Sequence, residues 1–409
     1  MKILLISIKD HEGAGIYVLN ILKDFKRRNI EAKLLVSEKK SSDEDVFILK
    51  TEPFKHKLLR KVENKLGVYS KKYDFHNRGR FILTESDLTA IKQEFNFTKI
   101  ILFWTSQFIS AKTLLSFKTK TSIELLLWPM DKAFLFGGCH FNIDCKNYQI
   151  NCRSCPAVPI YARSLPPRNI LENYNLIKNS RLITHSLWFK DYLVSFFPEK
   201  EPLFYTPDLK DYLVSFLPEK ESLFYTADLK TIFDKAHRET KDIHDQKIRI
   251  LFSSTNIKDE RKGFQLFKKI ITGLDRDLSF TKDNICLLTI GNGVPKLSLK
   301  SIKQINYGYV GSRQELNQLY SSSDIIISTS LDDIGPSILL EACLNGCIPI
   351  SFNVGVAIDI IRDGINGYSI PKYDIEMFLE KLKLMVKLSN EKRKIFRRNS
   401  QTIITEYFE

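Results

Sequence analysis

The sequence predicts an α/β protein built on two doubly wound parallel sheets, and three observations predict it. Two blocks, opening at Lys2 and at Ile248, alternate short apolar runs with amphipathic stretches whose apolar residues recur every three or four positions. That alternation is the pattern of strands joined by right-handed helical crossovers. A glycine turn follows an apolar run in each block, Gly13-Ala14-Gly15 in the first and Gly291-Asn292-Gly293 in the second. Finally, 409 residues exceed one ordinary core and suit two domains of about 200 residues each. Two such domains are expected to face a cleft, with ligands outside the carboxyl ends of their strands.

In the first block Lys2–Ile8 reads as a strand and Ala32–Val36 as the next. Between them Tyr17, Val18, Ile21, Leu22 and Phe25 mark the apolar face of a helix. Lys99–Trp104, Ser122–Trp128 and Arg181–His185 are further strands, and Lys39–Arg80 is polar and strongly basic, helical or loop-like. In the second block strands are expected at Ile248–Ser254, Asn284–Ile290, Asn306–Val310, Asp324–Ser328 and Ile348–Phe352. Helices are expected at Gly263–Ile271, Arg313–Tyr320 and Pro336–Leu344. Ile375–Tyr407 reads as two helices, the second with a basic, solvated face of Lys392, Arg393, Lys394, Arg397 and Arg398. The expected division is an N-terminal domain over 1–190, an interdomain segment over 191–235, a C-terminal domain over 236–385 and a terminal helix over 386–409.

The interdomain segment is a tandem duplication. Asp191–Lys210 and Asp211–Lys230 agree at 17 of 20 positions. Stacked repeats need about three copies for stability, so two are expected to be a strand unit the sheet needs and a surplus unit. The surplus copy would pack on the sheet edge, loop out, or compete for the same place.

Residues 1–190 hold 32 Lys and Arg against 18 Asp and Glu, whereas residues 191–409 hold 30 of each, so the whole excess of +14 lies on the first half. Such a field attracts nucleic acid, an anionic membrane or a phosphorylated substrate, unless it is simply a solvated face. No aromatic and basic interleaving or recognition helix supports nucleic acid. The longest uncharged stretch, Ala342 to Ile358, is broken by Asn345, Gly346, Pro349, Asn353 and Gly355, which excludes a span of roughly 20 apolar residues. The opening apolar run is too short for a signal-peptide core, so a cytoplasmic protein, peripheral on the inner face of the plasma membrane, is expected.

The chemistry-bearing residues gather between Tyr320 and Tyr368: Asp333-Ile334-Gly335-Pro336, Leu340-Glu341-Ala342, and Asp363-Gly364-Ile365-Asn366-Gly367. A loop running into a helix near Pro336 points free N–H groups at an anion. A Glu on the second turn of that helix can accept two ribose hydroxyls. This stretch resembles the donor-site half of the retaining GT-B glycosyltransferases of the large bacterial polysaccharide family four, whose signature is an acid, seven residues, then Glu. Here it reads Asp333-x7-Glu341, with Asp one methylene shorter than the Glu found in most members. Lys262-Gly263 is similar to the family's Lys-Gly pair, and Arg261 stands near the place of a family Arg. The resemblance implies a GT-B fold of two Rossmann-like domains and Asp333, Glu341 and Lys262 as the catalytic set. It implies donor contacts from Gly13, Gly15, Arg261, Gly291, Gly335, Pro336 and Ser337. It further implies a UDP- or GDP-sugar donor, no catalytic metal, retention of anomeric configuration, and a glycan or polyprenyl-diphosphate-linked acceptor in surface polysaccharide synthesis.

Cys139, Cys145, Cys152 and Cys155 lie within 17 residues, in a loop spanning 137–156. In a cytoplasmic chain this density suits one structural Zn better than disulfides, with His140 as an alternative ligand; the bland alternative is four unliganded thiols. Cys286, Cys343 and Cys347 read as core. The segment resembles a subgroup of the same transferases in which a Cys cluster follows a His-Asp pair. Met130 stands where that His would be, leaving Asp131, with His140, on the acceptor side. Two other functions fit the architecture: a nucleotide-sugar 2-epimerase, which would need acids and His in the cleft, and an inactive basic scaffold.

Overall fold

The computed structural model describes residues 2–70, 72–184, 186–197, 203–204, 247–277, 285–335 and 337–408. The chain divides into two compact units, Met1–Phe224 and Tyr225–Glu409.

In the first unit β1 (Lys2–Ile6), α1 (Glu12–Arg27) and β2 (Glu31–Leu35) form the expected strand–helix–strand. β3 (Val46–Phe47), α2 (Phe54–Lys65), α3 (Glu85–Phe95), β4 (Lys99–Leu102), α4 (Ala111–Thr121) and β5 (Glu124–Leu127) follow. α5 (Leu165–Lys178), β6 (Arg181–Thr184), α6 (Leu187–Phe196) and β7 (Leu203–Phe204) complete it. Among the described residues the strands form one parallel sheet in the order β3-β2-β1-β4-β5-β6-β7. The order reverses at β1, whose Ile3 pairs with Ala32 on one side and Lys99 on the other. Val18, Ile21, Leu22 and Phe25 of α1 pack on Ile3, Leu5, Ile101, Phe103, Leu126 and Trp128, as the helical spacing requires.

One local expectation needs correction. Gly13, Ala14 and Gly15 do not form a turn before α1; they lie in its first turn. The reversal is made by Glu12, at φ 60. Gly15 is needed there because a Cβ would stand 2.7 Å from the Lys9 carbonyl oxygen. Of the duplicated segment, the first copy gives the end of α6 and then β7, which pairs with β6. The second copy, Asp211–Lys230, lies outside the described residues.

The zinc expectation is also corrected. Among the described residues no three His, Cys, Asp or Glu side chains stand where they could share a metal ion. Cys139, Cys152 and Cys155 instead turn into an apolar cluster with Tyr69, Phe75, Ala157, Val158 and Leu165, while Cys145 is half-buried outside it. Two features shape the loop around the thiols. Cys139 is tied to Phe75 by an antiparallel bridge, and a 3-10 turn over Asn147–Ile150 intervenes between Cys145 and Cys152. The bond between the Cys139 and Cys155 thiols, with burial, pushes Cys139 up, while the same bond holds Cys155 at about 7. Asn169 and Asn173 of α5 pin the adjoining chain, donating to the carbonyls of Gly137 at 2.7 Å and Ala133 at 3.1 Å.

The second unit runs β8 (Ile248–Asn256), α7 (Phe264–Asp275), β9 (Ile285–Asn292), β10 (Lys303–Gly308), α8 (Arg313–Ser321) and β11 (Ile325–Ser328). It continues α9 (Ser337–Leu344), β12 (Ile348–Phe352), α10 (Ala357–Ile360), β13 (Tyr368–Ile370), α11 (Ile375–Lys387) and α12 (Asn390–Phe408). The sheet is parallel in the order β10-β9-β8-β11-β12-β13, again reversing at its first strand. Alternate residues feed opposite faces. Ile250, Phe252, Leu287, Ile325 and Ile327 pack under α7 and α11, whereas Leu251, Cys286, Leu288 and Ile326 meet α8, α9 and Ile404 of α12. Cys286, Cys343 and Cys347 are core, as expected. The basic face expected on α12 is only partly solvated: Arg397 turns inward to the Ser323 carbonyl at 2.8 Å and the Asp324 carboxylate at 3.1 Å.

Asp275, the last residue of α7, accepts backbone N–H groups of Lys300 at 2.7 Å, Ser301 at 2.8 Å and Ile302 at 2.9 Å. Burial opposes its ionisation, but these three bonds outweigh it and lower its pKa from 3.8. Asp275→Ala is expected to cost on the order of 2–3 kcal/mol at neutral pH, measured by denaturant unfolding. The depressed folded pKa puts this stabilisation above pH 3.8, so the gap between variant and parent closes as pH falls below it. Separately, since the described residues place no three metal ligands together, dialysis against a strong chelator is expected to leave the melting temperature and the elemental content unchanged; a drop of several degrees would restore the zinc site.

Candidate functional site

In the second unit the reversal of strand order at β8 leaves the connections after β8 and β11 diverging from the carboxyl edge of the sheet, the place where such sheets take ligands. After β8 comes a 3-10 turn, Glu260–Lys262, capped by the Asp259 side chain on the Arg261 N–H. Gly263 then adopts φ 65, and a Cβ on it would fall 1.9 Å from the Thr329 carbonyl oxygen at the end of β11, so only glycine lets the two connections touch. Gly291 is similarly constrained: at φ 135, its Cβ would lie 1.7 Å from the Ser254 carbonyl oxygen of β8.

Three of the expected residues meet here. The Asp333 carboxylate accepts Arg261 Nη1 at 2.8 Å and Lys262 Nζ at 2.5 Å on the same oxygen. Arg261 also donates to Asp259 at 2.8 Å and to the Asp332 carbonyl at 3.3 Å. Burial would raise Asp333, but the Lys262 and Arg261 charges outweigh it and hold the carboxyl at about 2. Burial and the Arg261 cation push Lys262 below the usual lysine range. The loop carrying Asp333 and the half-buried Gly335 is held close by Gly355, where a Cβ would meet the Asp333 carbonyl oxygen at 2.5 Å. Pro336 lies outside the described residues, and Ser337 begins α9.

Glu341, on the second turn of α9, does not join this cluster. Its two oxygens accept Arg313 Nη1 at 2.7 Å and the Tyr320 hydroxyl at 3.2 Å. Tyr320 is fully buried, and burial followed by the Glu341 charge keeps its hydroxyl protonated and donating. Arg313 and Tyr320 were legible only as helix residues. Their spacing of seven, which puts both on one face of α8, is the signal that could have paired them with an acid.

In the first unit Asp131 and His140 come together. His140 Nδ1 lies 2.8 Å from the Asp131 carboxylate, whose other oxygen accepts the Ala133 N–H at 2.7 Å. Trp104 Nε1 donates to His140 Nε2 at 3.4 Å, which assigns the ring proton to Nδ1. His76 packs against the same ring at 4.4 Å between centroids. Burial, then the neighbouring His140, push His76 below the usual histidine range. Asp131 and Trp104 line a shallow pocket with Asn77, Phe103, Phe134 and Glu172 that is open to solvent. Aromatic faces alternating with carboxylates and amides suit a polyhydroxylated ligand. Met130 packs on the sheet core instead. Neither Trp104 nor His76 stood out in the sequence, because each is remote along the chain from its partners.

Residues 234–402 match the sequence family described as glycosyl transferases group 1. No match to a curated protein was found. Among solved structures, sucrose-phosphate synthase from Thermosynechococcus elongatus superposes with a TM-score of 0.63 at 12% identity, covering 100% of this chain and 95% of that one. Anabaena HepE in complex with UDP-glucose gives 0.58 at 12% identity, covering 100% and 96%. WaaG, a glycosyltransferase involved in lipopolysaccharide biosynthesis, gives 0.58 at 12% identity, covering 98% and 95%. The fold is therefore that of the GT-B glycosyltransferases, and the group 1 match falls on the half that holds Arg261, Lys262, Asp333 and Glu341.

Proposed function

We propose that the protein transfers a sugar from a nucleotide-sugar donor to a glycan acceptor with retention of anomeric configuration. The observation that carries this reading is the pair of half-buried cations, Arg261 and Lys262, crowded on one carboxylate at the carboxyl edge of the second sheet. A diphosphate arriving there would relieve the repulsion between the two cations and free Asp333 to turn to the sugar hydroxyls. Neutralising the departing diphosphate is the main electrostatic demand of glycosyl transfer. The bond from the anomeric carbon to phosphate breaks, the acceptor oxygen bonds to that carbon from the same face, and its proton goes to the departing phosphate oxygen. Glu341, oriented by Tyr320 and Arg313, would accept the ribose hydroxyls of a UDP- or GDP-sugar, with Arg313 the partner that yields. Backbone at Gly13, Gly15 and Gly291, and N–H groups at Gly335 and Ser337, would approach the phosphates. The Asp131–His140 pair and the aromatic pocket beside it would hold the acceptor glycan. A polyprenyl-diphosphate carrier and surface polysaccharide synthesis at the inner face of the membrane complete the reading.

Glu341→Ala is expected to lower kcat/KM on the order of 100-fold, because two charge-assisted bonds to the donor are lost, with a fall of a few degrees in melting temperature as the buried Tyr320 hydroxyl loses its acceptor. Unchanged turnover would remove the assignment. Since Lys262 sheds its proton at lower pH than an ordinary lysine, donor affinity is expected to fall early on the alkaline side. Lys262→Arg should flatten that limb, read by a thermal-shift titration of UDP-sugar across pH. His140→Gln is expected to raise the acceptor KM on the order of tenfold with donor-induced stabilisation unchanged; an equal loss of donor binding would place His140 elsewhere in the mechanism.

A further inference from the structure

Two imidazoles stand side by side in the first unit, and they differ in how much bonding capacity is left to them. The stretch Asp74–His76 runs antiparallel to Gly138–His140, with Phe75 bridged to Cys139 at the centre. His76 N–H donates to the Gly138 carbonyl at 3.0 Å, and His140 N–H to the Asp74 carbonyl at 3.2 Å. This pairing brings the two rings to 4.4 Å between centroids. His140 is closed on both sides. Asp131 takes its Nδ1, Trp104 fills its Nε2, and only 3% of the side chain is exposed. With both nitrogens engaged, it has nothing to offer a ligand directly.

His76 is only half engaged. Its Nε2 meets the Asp74 carboxylate, and among the described residues its Nδ1 has no partner. Of this side chain 36% is open to solvent. The backbone beneath it is fixed, because Phe75 is buried against Tyr69, stacked at 5.6 Å, and Gln107 donates to the His76 carbonyl. The charged groups that face the ring are Asp74, His140 backed by Asp131, and Arg78, which Glu63 and Asn64 already hold. With the Nε2 proton directed to Asp74, the neutral ring keeps a lone pair on Nδ1. Asn77, next in the chain, lines the pocket together with Trp104 and Asp131. The charged residues lining that pocket are the carboxylates Asp131 and Glu172, which would repel an acidic sugar.

We propose that His76 grips the acceptor, its Nδ1 accepting a hydrogen bond from a hydroxyl of a neutral pyranose. Asp74 sets the tautomer that leaves Nδ1 free to accept. His140 is a positioning residue, backing the His76 ring while Trp104 and Asp131 hold it still. Burial and the His140 charge keep His76 below the usual histidine range, so the accepting form persists into mildly acidic solution. Only the word acceptor rests on the transfer reading; the hydroxyl bond itself needs no donor.

The test is proton NMR of the full chain, its imidazole C2–H resonances assigned by histidine substitution, titrated with the methyl glycosides of glucose, galactose, mannose and N-acetylglucosamine. At least one glycoside is expected to move the His76 resonance and, by binding the unprotonated ring, to shift its titration to lower pH. His76→Phe should weaken that glycoside on the order of tenfold, whereas His76→Gln, whose amide oxygen also accepts, should stay within about threefold of the parent. His140→Gln should raise the pH at which His76 titrates, since a neighbouring charge is gone. UDP-glucose and GDP-mannose should stabilise these variants as they do the parent. A His76 resonance that no glycoside moves would overturn the proposal, and so would glycoside binding untouched by His76→Phe. The parent titration alone decides the matter if His76→Phe fails to fold. Sugar nucleotides that stabilise neither parent nor variant would overturn the transfer reading instead, with the glycoside shift at His76 still expected.

Discussion

Asp333 ties two stretches of chain that the sheet itself drives apart. β8 and β11 are neighbours, yet their connections leave the carboxyl edge in opposite directions, and the carboxylate on one receives both cations of the other. Removing three charges from water is expensive, and one carboxylate cannot fully satisfy an ammonium and a guanidinium. Arg261 makes up part of the difference with Asp259 and the Asp332 carbonyl. The remaining imbalance, visible in the lowered Lys262, is what a bound anion can correct. Everything else at this edge is positioned around that cluster. Gly263 is there so the backbones can meet at Thr329, and Gly355 so the Asp333 loop can sit close.

Much of the architecture was legible because two parallel sheets covered on both faces leave a strong pattern. Apolar runs at Ile325–Ser328 and Ile348–Phe352 have few competing readings once a serine run precedes the first and Gly346 and Gly355 flank the second. Boundaries shifted where polar residues continue a strand: the strand expected at Asn306–Val310 is Lys303–Gly308, since its exposed edge position tolerates Lys303 and Gln304. Lys39–Arg80 was illegible for the opposite reason. A helix whose inward face is charged and whose outward face is apolar gives no signal to a reading that assumes apolar means buried.

The Asp333 cluster was legible through short motifs that fix backbone as well as side chains, Lys262-Gly263 and the Asp333-x7-Glu341 spacing. What spacing could not carry was occupancy. Glu341 looked like an open acceptor, yet α8 fills both its oxygens. The cysteines misled in the same way, because proximity along a loop says nothing about which way each thiol turns. Phe75, far upstream, pulls Cys139 into an apolar cluster. His140, ten residues after Met130, brings an imidazole to Asp131, as the sequence grouped them, although spacing alone did not show that the two would touch.

The strand order of the second unit also bears on how the chain becomes a structure as it is made. Its central strand β8 acquires β9 early, over the α7 crossover, but its other neighbour β11 arrives only after some seventy-five residues, as the Arg249–Asp324 bond measures. The face of the sheet under α8 and α9 stays incomplete until Ile404 of α12 is available. Emerging from a ribosome N-terminal first, this unit would hold a half-covered sheet for most of its synthesis. The first unit waits in the same way: β1 meets β4 only at the Ile3–Lys99 pairing, and Trp128 and Ile183 reach the same core later still. Each half of a nascent chain of this topology therefore exposes one side of its first strand until distant sequence has been made.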